Sequence, residues 1–318
     1  MQRVLFHMDS DGHASAGVVL HYLLGKGVKQ EEICFHPINY GMDLPTGINY
    51  EKDTVFLVDF SLQPTENLIS VANSLGDRFI WIDHHDTSID AENENPSLRR
   101  VRGIRQSIVD DGTKISACEL TWIYFFCMEP IPRIISLIGD WDTWRWKQLP
   151  QRRQTEVSEL QYALKMEHTD PSTDPGFAFW VRHLHGPGAA TAGSSLTSNG
   201  KACLAYQRKQ WHNAMKGDSF EADFQELKAI MINQTGGSEM FNEFFDPDKH
   251  DVMITFKLIR GEFVVVSLYR PDDKIHLGRL ARKLGEAGSM KSGGGHAGAA
   301  GFQCSWDYFK TLYKRQGE

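Results

Sequence analysis

The feature that most constrains this chain is a series of short apolar runs that each end in acidic or histidine side chains. VLFHM (4–8) leads into His7, Asp9, Asp11 and Gly12, and DTVFLVDFS (53–61) reaches Asp59. RFIWIDHH (78–85) runs into Asp83, His84 and His85, and PRIISLIGDWDTW (132–144) carries Asp140 and Asp142. Runs of this length suit strands buried on both faces of a sheet. Helical patterns follow them, beginning with DGHASAGVVLHYLLGKG, which Gly25 and Gly27 close. This strand–helix rhythm predicts an α/β fold with a doubly wound parallel sheet.

Residues 116–128 look helical, and from 150 to about 220 the chain turns polar and helical. HGPGAATAGSS (185–195) is the best hinge candidate in that stretch. Beyond it come strand patterns KAIMINQ (228–234), DVMITFKLIR and EFVVVSLYR, the last two flanking Gly261, then a helix from His276 and a glycine loop. At 318 residues the chain is roughly twice the usual domain size. The expected organisation is a parallel-sheet N-terminal domain over 1–185, a linker and helix over 186–220, and a smaller α/β C-terminal domain over 221–318. The active site is expected in the cleft between the domains.

Composition excludes several classes. Against 34 Lys and Arg stand 41 Asp and Glu, a net charge of −7, so the chain has no basic excess to bind long nucleic acid by releasing counterions. Five scattered cysteines, odd in number and never in a CxxC pair, argue against a disulfide framework or thiolate zinc site. Polar residues interrupt the first apolar stretch, which is not a signal peptide, and no run approaches the ~20 apolar residues of a membrane span. A cytoplasmic protein without membrane partners is expected.

The clusters themselves carry chemistry. Ligands of open α/β sheets bind outside the carboxyl ends of the strands, and alternate residues of a strand share a face, so His7, Asp9 and Asp11 can project together. Several carboxylates in one pocket repel one another unless cations offset them. Mixed imidazole and carboxylate donors suit Mn, Fe, Co or Zn better than Mg. Two such ions ~3.5–4 Å apart are the usual device for in-line attack at phosphorus. Taken singly, each residue has a plainer reading: Asp59 as a turn residue, His84 and His85 as a surface or core pair, Asp11 as a helix cap. HxDxDG could open a calcium loop, whose remaining positions do not follow. The ordered recurrence of four clusters favours the metal site.

HxDxDG at 7–12, VDFS at 58–61, IDHH at 82–85 and GDWD at 139–142 resemble, in order, the four motifs of the DHH phosphoesterases. GGGHAGAAG (293–301) resembles the signature of the DHH-associated domain of RecJ nucleases, nanoRNases and alanyl-tRNA synthetases. The resemblance implies a two-ion site, with Mn2+ expected and Mg2+ or Co2+ as alternatives. His7 and Asp9 would hold one ion and Asp11 the other. Asp59 would bridge them, and His84 and Asp140 would complete the second site. His85 would face the substrate phosphate and protonate the leaving oxygen, with Asp83 orienting an imidazole. Two departures stand out. Many short members space the first motif as HxxxDxD, whereas this chain is nearer the RecJ pattern. In the fourth motif Asp142-Thr143 matches a DT form and Gly139-Asp140 a GD form, and Asp140 is the expected ligand.

In the second domain, Gly294, Gly295 and His296 could form an anion-binding nest, and Arg270 could grip a phosphate with its fork. A glycine hinge and an ordinary surface arginine are the plainer readings. In the related nucleases the corresponding segments bind the nucleotide, whereas family pyrophosphatases carry a different second domain. Trp141, Trp144 and Trp146 could stack a base, but packing is the better expectation for most of them. The implied activity is hydrolysis of short oligonucleotides or dinucleotides to nucleoside monophosphates, without long duplex partners. Alternatives are hydrolysis of a cyclic or linear signalling dinucleotide, or a 3′,5′-bisphosphate nucleotide phosphatase. A nucleotide-binding sensor would have lost ligand positions, and none is lost here. Oligomeric state, choice of RNA or DNA and cleavage polarity have no signal in the sequence.

Overall fold

Four strands run parallel in the order β2-β1-β3-β4: β1 (Gln2–His7), β2 (Ile33–Ile38), β3 (Thr54–Val58) and β4 (Phe79–Ile82). They belong to a computed structural model that describes residues 1–39, 42–127, 129–186, 192–272, 274–288, 293–295 and 297–315. The chain divides into two compact units, Met1–Leu204 and Ala205–Glu318. The expected parallel-sheet α/β domain and smaller second α/β domain are both present, the second built on a mixed sheet.

The sheet of the first unit is covered on both faces, as its unbroken apolar runs require. Alternation along the strands sends Val4, Phe6, Phe56, Val58, Ile80 and Ile82 to one face and Leu5, Val55, Leu57, Phe79 and Trp81 to the other. The first face packs against α1 (Ser10–Gly25). The second packs against α2 (Thr65–Leu75) and takes Ala91 of α3 (Asp86–Glu94). The first face is further covered by α4 (Ala117–Phe126), α5 (Arg133–Asp142), α6 (Gln151–Leu164) and α7 (Asp174–Trp180). Ser116 and Glu119 open α4 with a reciprocal capping box.

The run 132–144 differs from the other three: Arg133–Asp142 is a helix, so the fourth acidic cluster sits at a helix end. Strand β2 has no signature in the sequence, because an edge strand tolerates His36 and Pro37, which break the apolar pattern. Most of the expected linker, 186–220, is one helix, α8 (Ala192–Asp218), and the boundary between units falls within it. Residues 187–191 of the hinge candidate lie outside the described residues. No helix is long and apolar enough to cross a membrane among the described residues.

The second unit is built on β5 (Phe220–Phe224), β6 (Leu227–Ile232), β7 (Val252–Ile259) and β8 (Phe263–Tyr269). Helix α9 (Leu277–Ala287) follows, then β9 (Gly293–Gly295), β10 (Ala299–Ser305), α10 (Trp306–Thr311) and β11 (Tyr313–Arg315). The strands form one mixed sheet in the order β11-β5-β6-β7-β8-β10-β9. Phe224, Met231, Phe256, Val266, Phe302 and Phe309 fill its core. The glycine loop expected near the C-terminus is, at 293–295, an edge strand paired with β10. A Cβ on Gly293 would come within 2.3 Å of the Ala281 carbonyl oxygen, and one on Gly278 within 2.1 Å of the Gly295 carbonyl oxygen. The helix backbone therefore lies directly on the strand, and side chains there are excluded.

Candidate metal centre

Because β1, β3 and β4 are neighbours, their carboxyl ends bring three of the sequence clusters together. His7 ends β1, and Asp9 follows as the cap of α1, its Oδ1 accepting the Gly12 N–H at 2.9 Å. Gly12 is demanded by this tight entry: a Cβ would lie 2.2 Å from the His7 carbonyl oxygen. Asp59 follows β3 with φ of +56°, a left-handed conformation uncommon for a residue with a side chain. Asp83, His84 and His85 follow β4 directly.

Three groups of potential ligands result: His7, Asp9 and Asp59; Asp59, His84 and His85; and Asp11, His84 and Asp142. His7 Nδ1 lies 2.8 Å from Asp9 Oδ2 and 3.9 Å from Asp59 Oδ2. His84 Nε2 lies 3.6 Å from Asp59 Oδ1, 3.7 Å from Asp11 Oδ2 and 3.4 Å from Asp142 Oδ2. Asp59 thus faces a histidine with each of its oxygens. Both oxygens are buried and accept no hydrogen bond among the described residues, and the same holds for Asp142 Oδ2. Burial, then the charges of Asp11, Asp9, Asp142 and Asp83, push the Asp59 carboxyl well above its ordinary range. Burial and the charges of Asp11 and Asp9 do the same to Asp142. A buried carboxylate without donors is costly unless a cation supplies the missing partner. The donor set of carboxylates and imidazoles fits divalent cations.

The remaining groups are held rigidly. Asp11 accepts the Ala117 and Cys118 N–H groups at 2.8 and 2.9 Å, so the exposed amides at the start of α4 fix its orientation. Asp83 is fully buried and accepts from the His84 and His85 backbone N–H groups and from the Ser88 hydroxyl. Its Oδ1 also lies 2.7 Å from His85 Nδ1, and that nitrogen is 3.8 Å from Asp59 Oδ1. Burial would lower the His85 pKa, but the Asp83 hydrogen bond and charge outweigh it and raise it to about 9. Burial would likewise raise the Asp83 carboxyl, and His85 holds it below its ordinary value.

Asp140, the ligand expected from the fourth motif, has other partners. Asp140 accepts from Arg153 Nε at 2.7 Å and Arg145 Nε at 3.1 Å, and it belongs to none of the three groups. Asp142 belongs to one of them, with Asp11 and His84. Residues two apart on a helix point about 200° away from each other, so only one of the pair can face the sheet. Arg145 also grips both oxygens of Glu119, at 2.7 and 2.9 Å, tying the end of α5 to the capped start of α4. Neither arginine was singled out in the sequence, where an arginine after WDTW carries no signal of its own.

In the second unit Arg270 is buried, its guanidinium donating to the Asp272 carboxylate and the Asp251 carbonyl. The fork expected to grip a phosphate is thus engaged by Asp272 and Asp251. Gly294 and Gly295 lie on the sheet edge, and His296 is outside the described residues. Trp141 and Trp146 stack on each other, with ring centres 5.3 Å apart, and pack against the core. Trp144 is more exposed and lies under the Lys147 amine at 3.9 Å.

No protein-family model matches the chain. A stretch of 156 residues, 46% of the chain, is 28% identical to an uncharacterized protein of Acanthamoeba polyphaga mimivirus, and it spans only 34% of that relative. Among solved structures, the DHH domain of a member of the S1p family of ribosomal proteins aligns with a TM-score of 0.59 at 14% identity, covering 98% of this chain and 85% of that one. A pGpG-specific phosphodiesterase from Vibrio cholerae aligns with a TM-score of 0.54 at 11% identity, covering 98% and 96%. Parallel sheet, mixed second sheet and these alignments agree: the chain has the DHH-family fold.

Proposed function

We propose that this chain is a two-metal phosphodiesterase that hydrolyses short oligonucleotides or dinucleotides to nucleoside monophosphates. The observation that carries the reading is Asp59, a buried carboxylate without hydrogen-bond donors, set between two groups of ligands. His7, Asp9 and Asp59 would hold one cation, and Asp59, Asp11, His84 and Asp142 the other. The mixed nitrogen and oxygen donors favour Mn2+, with Mg2+ or Co2+ as substitutes. Such a pair of ions, when bound, supplies a nucleophile at neutral pH and offsets charge on the phosphate.

The protein's own groups do the rest. Asp83 fixes His85 through Nδ1, which leaves the other ring nitrogen to meet the substrate phosphate and give a proton to the leaving oxygen. The start of α4 holds Asp11 in place, and the Arg145 link to Glu119 holds the start of α4. The edge backbone of Gly294 and Gly295 is the part of the second unit suited to a nucleotide anion. Arg270 is better read as ordering Asp272.

The motif resemblance and the net charge of −7 favour a short substrate over a long strand. The likeness to a phosphodiesterase described as pGpG-specific favours a linear dinucleotide among short substrates. The test is release of monophosphates from RNA and DNA series running from dinucleotides to chains several times longer, with added Mn2+. Cyclic dinucleotides and a 3′,5′-bisphosphate nucleotide serve as parallel substrates. A rate that falls steeply with length is the expected result. Turnover of the bisphosphate alone would transfer the function to a phosphatase, and a rate that rises with length would refute the short-substrate reading.

A further inference from the structure

Beside the metal cluster the first unit holds a cavity of about 450 Å³, within the range of small-molecule sites. Part of its lining comes from the connection after β2, with Asn39, Asp43 and Leu44. The rest comes from the segment after β3, with Phe60, Leu62, Gln63 and Asn67. Two features join it to the metal cluster. Phe60 is the residue after Asp59, and the His7 ring stacks on the Phe60 ring, with centres 5.7 Å apart and planes 27° apart. Trp81 Nε1 donates to the Phe60 carbonyl at 3.0 Å, so the backbone at this junction is fixed from the sheet side.

The lining sets the buried Phe60 and Leu62 beside the exposed polar residues Asn39, Asp43, Gln63 and Asn67. Leu44 adds to the apolar wall. Asn67 Nδ2 donates to the Gln63 carbonyl at 3.2 Å, which orders the polar rim. Such a pocket suits a planar heteroaromatic ring that buries its faces and presents its edge to amides and a carboxylate. Amide side chains both donate and accept, so Gln63 and Asn67 accommodate many edges. The Asp43 carboxylate only accepts. It matches an edge with two adjacent N–H donors, as guanine offers at N1 and N2, and it opposes the carbonyl oxygens of uracil.

We infer that this cavity is the nucleobase subsite of the metal centre and that Asp43 makes it selective for guanine. The inference rests on the phosphodiesterase reading for the identity of the ligand as a nucleotide. It assigns the base of the nucleotide whose phosphate meets the cations to the Phe60 wall and to Asp43 at the rim.

The test is calorimetric binding of GMP, AMP, CMP and UMP to the full chain with Mn2+, alongside Asp43→Asn and the cavity-filling Leu44→Trp. GMP should bind about tenfold or more tightly than the other three, in line with one good bidentate pair. Asp43→Asn should remove most of that preference, and Leu44→Trp should weaken all four ligands, with both variants melting near the parent temperature. Equal affinities for the four nucleotides, a guanine preference that survives Asp43→Asn, or no binding of any of them would overturn the proposal. Turnover of bis(p-nitrophenyl) phosphate, an ester without a base, by the unaltered chain reports on the phosphodiesterase reading separately. GMP selectivity without any ester turnover would retain the subsite and sink the enzyme.

Discussion

Asp140 and Asp142 stand two positions apart on one helix and meet opposite neighbours. Asp142 turns toward Asp11 and His84, and Asp140 toward Arg145 and Arg153. Their substitutions should therefore fail in different ways. Asp142→Asn should lower kcat and Mn2+ affinity by about a hundredfold or more, since even groups behind the ligands cost 10–100-fold. Asp140→Ala should remove the shared partner of Arg145 and Arg153 and cost about 1.5–3 kcal/mol of stability, as losing hydrogen bonds to a charged group does. Thermal melting with metal titration on the two variants checks this division, and a reversed pattern would return Asp140 to the site. The sequence could not decide between the two because the apolar run before them, IISLIG (134–139), is short. A strand and a buried helix look alike at that length, and only the helix separates the faces of neighbouring acids. His7, Asp9, Asp59 and His84 come together because each ends or follows one of three neighbouring parallel strands, which the short apolar runs mark in the sequence.

At the level of elements, the site depends on how closely α1 leaves β1. Gly12 lies where any Cβ would meet the His7 carbonyl, so Gly12→Ala must push the helix start or the strand end aside. Overpacking of this kind costs about 1–3 kcal/mol. Both Asp9 and Asp11 ride on the displaced segment, so Mn2+ affinity should fall together with melting temperature. A variant that keeps full affinity would show that the entry geometry is not what aims these carboxylates. The apolar strands β1, β3 and β4 were readable because both faces are buried, which leaves their central residues uniformly apolar. Strand β2 was not, since its outer edge admits Pro37. The glycine run was readable as a motif but not as a strand, because its pairing with β10 and its contact with α9 lie far away in sequence.

Across the first unit as a whole, Asp53 joins segments distant in the chain. Its carboxylate accepts from Arg3 Nε at 2.5 Å, from the Asn49 N–H at 2.9 Å and from the amino terminus at 3.2 Å. Burial alone would raise this carboxyl, but Arg3, the Asn49 N–H and the amino terminus outweigh it and hold the pKa at about 2. The folded value lies below the ordinary value of about 4, so the folded state binds fewer protons there. Its stabilisation is complete above about pH 4 and is lost as pH falls toward 2. The melting temperatures of the parent and Asp53→Asn should differ most at neutral pH and converge over that acid window. A gap that stays constant down to the lowest pH would show that Asp53 is not ionised in the fold.

If Asp59 is shared by two cations, as proposed, the number of Mn2+ ions bound per chain at equilibrium depends on it. The parent should bind two. Asp59→Asn, which removes the shared charge while preserving size, should bind fewer than one at the same free concentration and lose turnover with it. A parent that binds one ion or none, or an Asp59→Asn variant that still binds two, would show that Asp59 does not bridge a pair of cations.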